Sequence, residues 1–316
     1  MIAEIKTLTA YKNCEKTLQN AIPCVGVGLH SGQKVHMTLK PAGIGHGIVF
    51  KRTDITDKDN LIPVSYDTVV DTRMCSCVGN ADGVSVGTIE HLMGALSGFG
   101  ITNILIELDS AEVPVMDGSA LDYVTLIECA GIIKQDAPLK AVKILKEVTF
   151  DDNKGASVCL YPAQKNLSID FMIDFSKSKV IGRQEYSITL SERTFKDAIS
   201  YARTFGFLQE VEALRAMGLA KGGSFDNVIV VDGDKVANKE GLRSENEFVV
   251  HKTLDAVGDL YQLGMPIIGH FAGVKSGHAH TNQLLRKLMA DKSAYTIVNL
   301  DDYEESLCQT SIRQSA

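Results

Sequence analysis

The sequence predicts an α+β protein built as two halves, each a sheet with helices on one face. Three observations predict it. Strand-like runs recur in both halves, helical stretches follow them in each, and a polar, proline-ended stretch near the middle separates the two. A chain of 316 residues, 45% hydrophobic and 22% charged, suits two domains of ordinary size better than one.

The first half opens with GVGLHSG (Gly26 to Gly32), and the alternation from Lys34 to Leu39 reads as a strand, so the glycines mark a hairpin. A dinucleotide fingerprint would need G-x-G-x-x-G leading into a helix, and a phosphate loop would need G-K-[ST]; neither is present. A helix near Thr88 to Ser97, a strand over Asn103 to Leu108, a turn at Asp117-Gly118 and a helix over Leu121 to Ala130 follow. Lys134 to Pro138 is the candidate linker, which gives a first domain over 1–135 and a second over 139–316. The second half repeats the pattern with strand-like runs at Ala141 to Phe150, Ala156 to Leu160 and Leu167 to Phe175, then helices, though no sequence repeat is demonstrable. Residues 202–232 place an amphipathic piece (Val211, Leu214, Met217 or Leu219) between ARTFGF and the extended Asn227 to Val231, which reads as a βαβ insertion. The polar stretch Asp301 to Ala316 reads as a frayed tail.

A net charge of -7, with no run of five Lys/Arg, argues against a nucleic-acid partner, while an anionic small molecule remains open through local cations. Nothing points to an obligate protein partner. MIAEIKTLTAYKNCEKTLQN has no apolar stretch of a leader's length, and no apolar run reaches the ~18 residues of a membrane span, so a cytoplasmic protein is expected. Seven scattered cysteines without C-x-x-C spacing read as reduced, mostly structural thiols.

Ile89, Leu92, Met93 and Leu96 fall at i, i+3, i+4 and i+7, a core-facing stripe with His91 nearly opposite. That opposite face carries Gly94, Ala95 and Gly98 where a solvated face would carry Lys and Glu, so something packs closely there. Alone, His91 fits a boundary histidine. Further on, Val250, Leu254, Val257 and Tyr261 form an apolar stripe, with His251, Asp255 and Asp259 beside it at i, i+4 and i+8. His and Asp four apart can grip one metal ion, and Gly258 leaves room for a close approach; an exposed acidic face fits the same spacing. His278 and His280 in KSGHAH are open between ligands, acid catalysts and loop residues. Two His, one carboxylate and a free fourth position form a catalytic zinc pattern, and Glu90 then stands where a base is wanted.

The run VGTIEHLMGALSGFGITNILIELDSAEVPVMDGSA, with GVGLHSG, ARTFGF, GGSFDN, HKTLDAVGDL and KSGHA, resembles the UDP-3-O-acyl-N-acetylglucosamine deacetylases of lipid A synthesis, from about Ala21 to Leu288. The resemblance implies two α+β sandwiches related by pseudo-symmetry, with the site between them, and hydrolysis of the N-acetyl group to a free 2-amine and acetate. It implies one catalytic Zn2+ on His91, His251 and Asp255, Glu90 as general base, and His278 as the cationic acid oriented by Asp259, leaving His280 unassigned. Thr204 would steady the oxyanion, Phe205, Phe207 and Lys252 would contact substrate, and the βαβ insertion would form an apolar passage for the acyl chain. Arg203 and Lys275 are further candidate donors for the UDP group, and Arg203 fits a structural role equally. The chain departs from the family pattern at Arg73-Met74-Cys75, where apolar residues are commoner, and at Ser176-Lys177, where His-Pro is common. Two rivals remain: a zinc amidase for another acylated amino sugar, and a non-catalytic binding protein clamped by zinc.

Overall fold

In the computed structural model, which describes residues 11–314, each half of the chain supplies its own principal sheet. The first sheet takes five strands in the order Ile22–Val27, Lys34–Pro41, Ile104–Leu108, Ile48–Arg52, Leu61–Pro63. The glycine-containing segment is the expected hairpin, with Ile22 opposite Leu39 and Val27 opposite Lys34. The second sheet has seven strands centred on Ile267–Val274, flanked by Ser157–Tyr161 (antiparallel) and Leu167–Phe175 (parallel). The architecture is α+β, as expected.

Seven α-helices complete the described residues: α1 (Glu90–Phe99), α2 (Leu121–Ala130), α3 (Glu192–Ala198), α4 (Val211–Ala216), α5 (Glu247–Leu260), α6 (His278–Ala290) and α7 (Leu300–Gln314). None of them is long and apolar enough to cross a membrane. The joint between the halves is helix on helix: α1 packs on α5, and its Gly94 and Gly98 pack on α5 and α3. A Cβ on Gly98 would lie 2.4 Å from Phe195, one on Gly94 2.8 Å from Leu254, and one on Gly258 2.0 Å from the Glu90 carbonyl oxygen. The small residues opposite the apolar stripe of α1 thus serve close packing, and both faces of that helix are buried.

The insertion is a βαβ unit: Phe205–Phe207 and Ile229–Asp232 pair in parallel on either side of α4, and Lys235–Val236 adds a third strand. Two expectations need correction. Lys134 to Pro138 is no loose linker but part of a strand, Ile132–Pro138, that pairs antiparallel with Cys14–Leu18. Its proline sits at the last strand position, where a missing N–H does least harm. The C-terminal stretch is α7 rather than a frayed tail. Leu300, Tyr303 and Leu307, spaced i, i+3, i+7, pack on Ala141 and Ile268, and the Asp301 carboxylate accepts the Lys12 and Asn13 backbone N–H groups. Residues 1–10, half of the segment read for a leader, and 315–316 of the tail lie outside the described residues. All seven cysteines are free thiols.

Candidate metal centre and active site

The first two residues of α1 and one face of α5 bring the key side chains together because Gly258 lets the helices approach backbone to backbone. His91, His251 and Asp255 offer ligand atoms that all lie within 4.8 Å of one another, and all three residues are buried. Asp255 Oδ1 is 3.4 Å from His91 Nε2 and 3.5 Å from His251 Nε2. The two rings meet edge to face, with centroids 4.9 Å apart. His251 Nδ1 is 3.0 Å from the Ala202 carbonyl oxygen, so it carries the proton and donates, which leaves Nε2 as a bare lone pair toward the group. Burial pushes that imidazole down to about 4, so it is neutral at pH 7. Asp255 Oδ2 accepts from Lys252 Nζ at 2.6 Å, whereas Oδ1 is buried without any hydrogen-bond partner. Burial opposes the Asp255 charge, but His251 and Lys252 hold its carboxyl well below the usual range.

Beside this group stand a buried acid and a buried base. Glu90 is 3% exposed, its Oε2 accepts the Ser76 backbone N–H at 3.0 Å, and burial raises its carboxyl. His278, the first residue of α6, donates Nδ1–H to Asp259 Oδ2 at 2.8 Å. Burial would lower His278, but the Asp259 carboxylate and the nearby Glu90 outweigh it and lift the imidazole to about 9. One site therefore holds a neutral histidine facing a carboxylate and a cationic histidine held by another, a separation set by environment alone. His280, the third residue of α6, contacts Asp152 and Phe150 instead.

The model of the UDP-3-O-acyl N-acetylglycosamine deacetylase family matches residues 15–290. The chain belongs to that family. Proteins named UDP-3-O-acyl-N-acetylglucosamine deacetylase from Hahella chejuensis and Chromohalobacter salexigens are 49% and 48% identical to it, over 92% and 91% of this chain and 96% and 94% of theirs. A third of that name, from Pseudomonas entomophila, is 48% identical over 91% of this chain and 94% of its own. The protein is thus a deacetylase, a hydrolase of an amide bond.

The remaining expected residues of the deacetylase fall in or near the same region. Phe205 lies 6.2 Å from His251, ring to ring, and both Phe205 and Phe207 meet Phe175, so the two alternate residues do share one side. Thr204 is fixed by its backbone: its N–H donates to Gly118 and its carbonyl accepts from Ile229, both at 2.8 Å. Arg203 is structural, 2% exposed and bonded to Glu247, Glu240 and the Gly241 carbonyl, which removes it as a UDP donor. Lys275 pairs with Asp174 at 2.8 Å. Two contributors escaped the sequence. Ser76 gives its N–H to Glu90 and its hydroxyl to Asp259 at 2.6 Å, tying the two carboxylates together, and the Ala202 carbonyl sets the tautomer of His251. Neither has a spacing signature; the only hint of Ser76 was the unusual loop around Cys75.

Proposed function

We infer that the chain removes the acetyl group from the 2-amine of a UDP-3-O-acyl-N-acetylglucosamine, in lipid A synthesis, with a zinc ion held by His91, His251 and Asp255. The observation that carries this is Asp255 Oδ1, a buried anionic oxygen with no partner, facing two imidazole nitrogens. Such an atom costs stability unless something cationic satisfies it. A donor set of two nitrogens and one oxygen suits zinc, and a three-ligand site leaves a position for reaction. Zinc bound there supplies Lewis acidity to the attacking water and to the acetyl carbonyl.

The chain's own groups divide the rest of the work. Glu90, its proton affinity raised by burial, takes the proton as water adds to the acetyl carbon. His278, already cationic, and the Thr204 hydroxyl stabilise the oxyanion. The C–N bond then breaks, His278 Nε2 protonates the departing amine, and acetate remains. Asp259 and Ser76 keep the acid in place. Lys252, Phe205 and Phe207 contact the substrate. The acyl chain runs along the insertion, where Phe175, Phe207 and Val231 line an open groove of about 620 Å3. On this reading residues 1–135 contribute Ser76, Glu90 and His91, and residues 139–316 the other groups, so the reaction takes place between two domains.

The test is acetate release from UDP-3-O-(3-hydroxyacyl)-N-acetylglucosamine before chelation, after it, and with zinc restored. Release should vanish and return. His251→Ala should lose zinc, and stoichiometric retention in that variant would reject it as a ligand.

A further inference from the structure

We propose that Glu112, which lies outside the catalytic cluster, is a positioning residue for the deacetylation, holding Thr88 so that α1 delivers Glu90 and His91 at the correct place. This rests on the roles given above to Glu90 and His91. Glu112 is 5% exposed, and three donors converge on its carboxylate: Oε1 accepts the His30 N–H at 2.8 Å and the Thr88 hydroxyl at 2.9 Å, and Oε2 accepts the Ser31 N–H at 2.8 Å. The loop can come so near only because residue 28 is glycine, since a Cβ there would lie 2.3 Å from Oε2.

Thr88 explains why this clamp bears on chemistry. Its φ is +57°, in the left-handed region that a β-branched residue avoids, and it stands two residues before Glu90. Gly87 on one side is bridged to Glu112, with its N–H on the Ala111 carbonyl and its carbonyl accepting from Val113. The strained residue therefore turns the chain from that bridge into the first turn of α1, and its hydroxyl is held by Glu112. The same carboxylate fixes the hairpin carrying His30, whose Nε2 is buried without a partner and whose ring feels the charge of His278. One buried acid thus sets both the entry to α1 and the hairpin loop that carries His30.

The test compares Glu112→Gln, Thr88→Val, Thr88→Ser and the Glu112→Gln/Thr88→Val pair, at saturating zinc, with wild-type acetate release and zinc content as controls. Glu112→Gln and Thr88→Val should each lower kcat by about 100-fold with KM within about threefold, because a small displacement of reacting groups costs that much. Thr88→Ser, which keeps the donor, should restore most of kcat. The double variant should be little worse than either single, as expected when two residues act through one contact. Zinc affinity, read by competition with a chelator, should fall about 10-fold through the displaced His91, as for other outer-shell changes. Wild-type kcat in folded Glu112→Gln, or Thr88→Ser as impaired as Thr88→Val, would overturn the inference. If Glu112→Gln fails to fold, the Val/Ser pair at Thr88 decides alone. A wild-type protein that binds no zinc or releases no acetate would instead sink the functional reading.

Discussion

Helices α1 and α4 belong to the same enzyme and are built on opposite terms. Nine of the ten residues of α1 are buried, its glycines press against α3 and α5, and its first two residues are Glu90 and His91, the base and a metal ligand of the proposed reaction. None of the residues of α4 is buried, and the insertion that contains it presents Met217, Leu208 and Phe225 to solvent. The contrast teaches where this deacetylase keeps its precision. Groups that must lie within a few tenths of an ångström of a reacting atom sit where close packing leaves no alternative positions. The insertion, which on the proposed function receives the acyl chain, is left loosely packed, where adaptation costs little.

The largest expected effect comes from attacking the tight region. Gly258→Ala would put a methyl 2.0 Å from the Glu90 carbonyl oxygen, so α1 and α5 must separate. Stability should fall by about 3 kcal/mol, the upper end for overpacking, and zinc affinity should fall with it. Thermal unfolding and chelator competition would show both, and an unchanged unfolding midpoint would mean the joint can yield. An intermediate effect is expected within the charge pattern. In the wild type, rate should decline as pH rises through about 9, because the His278 imidazolium is then lost. Asp259→Asn removes the carboxylate that opposes the effect of burial, so this basic limb should move to lower pH, and a limb that stayed near 9 would show that Asp259 is not its cause. The smallest effect belongs to the loose region: Met217→Ser, at a side chain 67% exposed, should change stability by less than about 0.5 kcal/mol. A loss above about 1 kcal/mol would erase the contrast between the helices.

The same contrast separates what could be read in the sequence from what could not. Periodicity located α1, α2, α5 and several strands of both halves, such as Lys34–Pro41, Ile104–Leu108 and Leu167–Phe175, but not Ile267–Val274, the strand at the centre of the second sheet. The unusual Gly94, Ala95 and Gly98 announced a tight neighbour for α1, and the i, i+4 pair on α5 announced a ligand face. Resemblance to a family then joined His91 to His251 and Asp255, which no local pattern does. Contacts such as Ser76 to Asp259, Glu112 to Thr88 and Ala202 to His251 stayed hidden, since each depends on two distant segments meeting and on main-chain atoms that every residue possesses. The strand Ile132–Pro138 was mistaken because polar residues on an outward edge look like a loop. Helix α7 was mistaken because its apolar stripe holds only three residues in a polar stretch.

The meeting of α1 with α5 also has a consequence for the order in which the protein is made. His91 leaves the ribosome long before Asp255, and the side of α1 that will face Leu254 and Phe195 has nothing to rest on in the meantime. The nascent first half therefore holds one histidine and one glutamate of the centre and no complete ligand set. An ion captured early would be bound by fewer groups than the finished site offers, and so more weakly. On the proposed ligand set, full affinity for the metal would arise only when the second half has folded against the first, so metal retention would itself report that synthesis and folding are complete.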